Sequence, residues 1–383
     1  MNNAEYKRLG DYIREVDVRN RDLAVTRLVG LTIDKAFIPS VANVIGTDLS
    51  NYKVIRREQF ACSLMQVSRD GKMPVAMFEE DAAIMSPAYP MFEVIDSGTL
   101  LPKYLMMWFS RPEFDREASF YAVGGVRGSL TWEDFCDLKL PIPPLSRQRE
   151  IVAEYETLTR RIRLNERLIA SLESLAQTLY RRTFVDDIDP AHLPPGWRLG
   201  KFTDLVRISG GGTPDTSVRE YWECGNVPFY SPGDKGTHFY TLETEKHITD
   251  LGLKHCSSKL YPPNTVFVTA RGATTGGLAL SAASMAMNQT CYALLPSADS
   301  NCKYYTHQLC IETMSSLKEE AVGATFEALV TKDFECKEII IPPKEKIQSY
   351  EKEVCPVYYL ILTLQRECIG LDRTRSLLQS GLK

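Results

Sequence analysis

No apolar run in the 383-residue sequence approaches the length of a membrane-spanning helix. The first residues, Met1-Asn2-Asn3-Ala4-Glu5-Tyr6-Lys7, carry no apolar signal core. A membrane partner and secretion are not expected, and a cytoplasmic location is. The ten cysteines include no CxxC pair and no Cys/His cluster at zinc spacing, which points to reduced thiols and no metal. The five histidines, at 192, 238, 247, 255 and 307, likewise lack ligand spacing. Neither sign of charge dominates: 45 Lys and Arg stand against 49 Asp and Glu. The net charge of −4 argues against a coat for nucleic acid, though it allows local basic surfaces. No GxxxxGK[ST] loop is present, and no GxGxxG follows a strand, so Ser209-Gly210-Gly211-Gly212-Thr213 is not read as a nucleotide cradle. No nucleophile–base constellation can be argued, and no cofactor of the chain's own is expected.

What is present is a repeat. Positions 151, 155, 158, 162, 165, 169, 172, 176 and 179 alternate steps of four and three, the seam of a coiled coil. Adding 199 gives Tyr350, Val354, Val357, Ile361, Leu364, Cys368, Leu371, Arg375 and Leu378, the same seam in register. Pro143-Pro144 becomes Pro342-Pro343, so the helix starts coincide. Such a helix needs a partner for its stripe, and the other copy is at hand. The packing residues expected are Ile151, Leu158, Ile162, Asn165, Ile169 and Leu172 against Val357, Ile361, Leu364 and Leu371. Asn165 is either a tolerated edge residue or a pin for the register. From 151 to 179 the seam spans about 42 Å. Ser146 is the expected N-cap, and Arg181-Arg182 suit the last turn. Pro356 is expected to cost about 3 kcal/mol and to kink the second helix.

The offset extends upstream. Leu130-Thr131-Trp132-Glu133-Asp134-Phe135 matches Leu329-Val330-Thr331-Lys332-Asp333-Phe334 at 199, and Arg8-Leu9-Gly10 matches Arg198-Leu199-Gly200 at 190. Strand-like runs at Ala24–Val29 and Pro90–Ile95, a short helix at Pro102–Phe109 and a final strand at Leu138–Ile142 make up the first globular unit. The second is richer in turns, with strands at Thr265–Thr269 and Glu338–Ile341 and a helix at Leu309–Glu320. The order is therefore unit 1–142, helix 143–185, linker 186–196, unit 197–341 and helix 342–383. The fold class expected is α+β: two β-rich domains separated and joined by two long antiparallel coiled-coil helices, with a pseudo-twofold internal repeat.

Several stretches, in this order, resemble the specificity subunits of Type I restriction–modification systems over essentially the whole length. They are Ser86-Pro87-Ala88-Tyr89-Pro90, Leu140-Pro141-Ile142-Pro143-Pro144-Leu145 with Gln148, Leu193-Pro194-Pro195-Gly196-Trp197, Gly211-Gly212-Thr213-Pro214, Tyr221-Trp222, Thr269-Ala270-Arg271-Gly272 and Asn288-Gln289. Two departures stand out: Gln148 has Ile347 at its matching position, and Pro356 is unusual. The resemblance implies a non-catalytic subunit in which each unit is a target-recognition domain reading half of a split site. The implied partners are double-stranded DNA, two copies of the methyltransferase (modification) subunit and a restriction subunit; S-adenosylmethionine belongs to the methyltransferase. Asn226-Val227-Pro228-Phe229 departs from the Asn/Asp-Pro-Pro-Tyr/Phe motif of amino-methyltransferases at its second position and is read as structural. The rival reading is a coiled-coil protein-interaction adaptor that binds no DNA.

Base reading needs polar loops that reach base edges. In the first unit the candidates are Ser68, Arg69 and Lys72 of a basic turn, Tyr89, and Arg127 and Ser129 of a glycine-rich stretch. In the second they are Thr213, Tyr221, Arg271, Thr274, Thr275, Asn288 and Gln289. Each has a plainer alternative: Arg271 could pair with a carboxylate, Asn288-Gln289 could cap a strand edge, and Tyr89 and Tyr221 could be core aromatics.

Overall fold

The computed structural model describes residues 6–40, 46–65, 67–122, 128–297, 301–320 and 328–382. Two compact units result, one formed by residues 1–161 with 371–383 and the other by residues 162–370. Both are α+β. Among the described residues no helix is long and apolar enough to cross a membrane.

In the first unit, a four-stranded antiparallel sheet runs in the order Ile13–Glu15, Met91–Val94, Phe60–Cys62 and Val75–Met77. Its core is aromatic: Phe60, Phe92, Trp108, Phe109, Phe114 and Phe135 are fully buried. Each such ring contributes roughly 1.5–3 kcal/mol by leaving water. The helix Pro102–Phe109 forms where expected, with proline in its first turn, where no N–H is needed. The expected strand Ala24–Val29 is shorter: only Val29 joins a strand, Val29–Leu31, paired with Phe37–Pro39. Asn20 explains part of this, because its side chain bonds both the Val25 N–H and the Val25 carbonyl and holds that stretch as a loop. The basic turn at 68–72 begins as a short helix, Val67–Asp70.

The second unit holds a five-stranded sheet in the order Val206–Gly210, Cys291–Pro296, Val266–Thr269, Leu278–Ser281 and Tyr240–Thr241. A three-stranded sheet, Lys246–Ile248, Val227–Tyr230 and Ala286–Met287, packs its own small cluster. The helix Lys303–Glu320 starts six residues before the expected Leu309.

The 199 offset is structural. Trp132–Asp137 and Thr331–Glu335 are both short helices, each opened by an aspartate reaching back to a backbone N–H. Thr131 returns the bond through its hydroxyl, which Val330 cannot do. Each unit also pairs its first strand with its last: Tyr6–Arg8 with Lys139–Pro141, and Arg198–Lys201 with Glu338–Ile341. Here the 190 offset fails. The Leu9 N–H donates to Leu138 O and the Phe202 N–H to Lys337 O, so Leu9 corresponds to Phe202, 193 residues on. The shared Arg-Leu-Gly tripeptide was three residues out of structural register. Strand pairing and the buried side chain after it set the register, not a shared tripeptide whose leucine is buried at 9 and exposed at 199.

The long helices are Leu145–Phe184 and Lys344–Ser380. The first begins at Leu145, so Ser146 lies inside its first turn and is not the N-cap; the Pro144 carbonyl takes the Arg147 and Gln148 N–H groups. The second runs through Pro356 as one continuous helix. Pro356 and Lys352 are both exposed, so the carbonyl that proline leaves without a helical donor can bond water. The seams are buried as spaced: Ile151, Ile162, Asn165, Ile169, Ala176, Tyr350, Val354, Ile361 and Leu364 are all under a tenth exposed. Leu158, Leu172, Val357 and Leu371 are half-buried. In the second unit Tyr180 and Phe184 meet the Tyr350 ring, and the Tyr350 hydroxyl donates to Ala176 O at 3.2 Å. In the first unit the Arg375 guanidinium lies 5.9 Å from the centre of the Tyr155 ring.

Candidate nucleic-acid interface

In the first unit, two candidate stretches that lie far apart in sequence meet. The Ser68 hydroxyl donates to Gly128 O at 3.4 Å. Gly128 has φ +70°, and a Cβ there would lie 2.0 Å from Ser68 Oγ, so only glycine allows this approach. Ser68 and Arg69 therefore sit beside half-buried Ser129, while Arg127 lies outside the described residues. Arg69 is exposed and pairs with Asp70 at 2.8 Å; that hydrogen bond raises the pKa of the guanidinium. Lys72 reaches Asp34 at 3.2 Å. Exposed pairs like these are worth at most about 1 kcal/mol, so a phosphate can replace the carboxylate at little cost. Tyr89 is elsewhere, half-buried against the small core around Val29 and Ile55.

In the second unit the candidates converge on one end of the five-stranded sheet. Gly210 pairs with Tyr292 and Thr269 with Cys291, so the loops after Val206–Gly210 and Val266–Thr269 leave the sheet at the same end. The Thr213 hydroxyl donates to the Gln289 side-chain oxygen, and the Ala270 N–H donates to Thr290 O at 2.8 Å. A Cβ on Gly211 would lie 2.0 Å from Asn288 O, and one on Gly212 2.0 Å from Ser257 Oγ. The glycine run therefore serves close packing. The Gly212 N–H is spent on Met287 O. Arg271 is exposed, and among the described residues its guanidinium pairs with no carboxylate. It opens a turn in which Gly272, at φ +106°, accepts the Thr275 hydroxyl at 2.6 Å, and Thr274 O accepts the Gly277 N–H at 2.9 Å.

Thr213, Arg271, Thr274, Thr275 and Gln289 are thus gathered at this end, offering donors and acceptors of the kind base edges require. Asn288 is beside them, but its side-chain oxygen accepts the Thr290 N–H at 3.1 Å and hydroxyl at 2.8 Å, capping its own turn. Tyr221 is stacked on His255, with ring centres 5.3 Å apart. Lys235 was not among the candidates, yet a Cβ on Gly277 would meet its Cδ at 3.1 Å, so this exposed cation borders the Arg271 loop. Its signal was its place directly after the Ser231-Pro232-Gly233-Asp234 turn.

The family model described as the Type I restriction modification DNA specificity domain matches residues 71–174 and 194–352. The chain belongs to this family. Its two matched segments fall on the two copies of the repeat. The MjaIX Type I restriction enzyme specificity subunit of Methanocaldococcus jannaschii is 31% identical over 166 residues, covering 43% of this chain and 38% of that protein. The HindI specificity subunit of Haemophilus influenzae is 22% identical over 370 residues, covering 78% and 80%. The crystal structure of a Type I restriction–modification S subunit from M. genitalium shares the fold, with a TM-score of 0.62 at 14% identity over 100% of this chain and 97% of that one.

Proposed function

We propose that the chain is the sequence-reading subunit of a Type I restriction–modification complex. Each unit reads one half of a bipartite, asymmetric DNA site, and the long helices set the spacing as an antiparallel coiled coil. The observation that carries this reading is the double family match, one on each copy of the repeat. Both copies present polar loops, and the two sets of loops differ in chemistry, which supports unlike half-sites. The buried seams support the coiled coil. Exposed Leu164, Leu168 and Leu175 form a stripe on the first long helix, which supports docking of methyltransferase subunits, two per chain. Catalysis and S-adenosylmethionine then belong to that partner, and a restriction subunit joins the same assembly. Co-expression with the methyltransferase, followed by mapping of methylated bases across the genome, tests this. The expected result is one bipartite motif with unlike halves; no sequence-specific methylation would return the chain to the adaptor reading.

A further inference from the structure

One buried charge pair in the first unit joins a hairpin tip to two helix ends, the last residue of Pro102–Phe109 and the first turn of Pro112–Ala122. Lys35 lies at the tip of the hairpin formed by Val29–Leu31 and Phe37–Pro39, with φ +62°, a region that lysine rarely adopts. Its side chain is 9% exposed and pairs at 2.8 Å with Asp115, itself 13% exposed. The ammonium also donates to Phe109 O and lies 4.9 Å from the centre of the Phe114 ring. The Asp115 oxygen that binds Lys35 also accepts the Met73 N–H at 3.0 Å. Met73 is the residue after the Ser68–Lys72 turn, and Lys72 itself reaches Asp34, the neighbour of Lys35. The hairpin tip thus holds the end of the turn twice, once at the surface and once through a buried bridge. Burial and strained backbone at a lysine need a compensating role, and a core could be built here with less.

We propose that Lys35 and Asp115 are a positioning pair that fixes the Ser68–Lys72 turn in the pose with which the first unit reads its half-site. This rests on the reading of that turn as a DNA-contacting element. Neither residue touches DNA; the bridge acts through the backbone of Met73. Loosening it moves Ser68 and Arg69 relative to the duplex and leaves the second unit's loops unaltered.

The test uses the full chain in complex with its methyltransferase. Removing one member leaves a buried charge unpaired, whereas removing both is often neutral for stability. The informative variant is therefore the double replacement Lys35→Met with Asp115→Leu, read by thermal unfolding and by a genome-wide methylation map. The expected result is a folded complex whose unfolding temperature falls modestly, because the Met73 N–H and Phe109 O lose these partners, with methylation lowered about tenfold or more and base preference relaxed in one half-site only. Lys35→Met with Asp115→Asn, which keeps the acceptor for Met73 and leaves no buried charge unpaired, should restore most of the preference. If the Lys35→Met, Asp115→Leu variant does not fold, Lys35→Gly with Asp115→Leu, which removes both charges and relieves the backbone at φ +62°, is read in its place. An unchanged map in the folded variant, alongside an altered map for Arg69→Ala, overturns the pair alone. Unchanged maps for both Arg69→Ala and Ser68→Ala overturn the turn as a reader, and the pair with it.

Discussion

The two copies of the repeat tie their globular parts to the long helices at the same place but with different chemistry. In the first unit Gln148 is fully buried and saturated: it accepts the Leu101 N–H at 2.9 Å and donates to Thr99 O and Pro143 O at 2.8 Å each. The matching Ile347 is apolar, buried and can make none of these bonds. One turn further along, Glu351 takes over, accepting the Tyr304 N–H at 3.1 Å and the Tyr305 N–H at 2.9 Å at the start of the helix Lys303–Glu320. A neutral tie is matched by an anionic one at a helix N-terminus, where the dipole favours negative charge. The geometry that must repeat is the docking of a helix start onto a long helix; the side chain that achieves it can change. Burial raises the Glu351 pKa, and the three backbone N–H groups it accepts oppose that.

The largest test of the contrast uses acid. All five histidines lie in the second unit, and burial pushes the His307 pKa down to about 3. The Tyr358 hydroxyl accepts from Gln308 Nε2 and so donates to His307 Nδ1, at 2.7 Å each, which assigns the Nε2–H tautomer to the neutral ring. A lowered folded pKa contributes stability that is full above 6.5 and is lost as pH falls from 6.5 towards 3. The second unit should lose several kcal/mol over that window at about 1.4 kcal/mol per pH unit. In His307→Gln most of that loss should vanish, as read by hydrogen exchange of core amides at several pH values.

Next in size, Gln148→Ala leaves a half-buried N–H and two carbonyls without that partner and empties a fully buried site, and should cost about 3 kcal/mol. Exchange protection should fall around Thr99–Leu105, and placing glutamine at Ile347 should gain nothing, because Glu351 already fills that role. A third test compares Arg271, which pairs with no carboxylate among the described residues, with the carboxylate-paired Arg69. On the proposed reading Arg271→Ala relaxes one half-site by about 1–3 kcal/mol of base discrimination, with a smaller effect for Arg69→Ala. A larger loss for Arg69→Ala in the methylation map would reverse the ranking. The smallest effect belongs to Glu351→Gln. A raised carboxyl pKa means stability present below 4.5 and lost as pH rises through the folded value. The wild-type chain should therefore weaken relative to the variant above pH 4.5, and a variant that weakened instead would show the charge to be a net stabiliser.

Much of the fold was legible because its signals are local. The helix Pro102–Phe109 and both seams follow from spacing within a few residues. The candidate sites were legible only as loops. The sequence offered Arg271 and Gln289 separately, while the strand pairing of Thr269 with Cys291 brings them to one sheet end. It also offered Asn288 and Gln289 as equals, and each side-chain oxygen is bonded within the loops, Asn288 to Thr290 and Gln289 to Thr213. Lys35 carried no signal, since nothing local distinguishes a buried lysine from the exposed ones.

The sequence by itself determined the repeat, the two helices and the stripe each must hide, because apolar spacing acts through a helix's own geometry. The tertiary structure alone decided the register of the first strands, the substitution of Glu351 for Gln148 and the bridge from Lys35 to Met73. Those rest on hydrogen bonds between residues tens of positions apart, 47 for Leu101 and Gln148, which exist only once the core has brought the partners out of water.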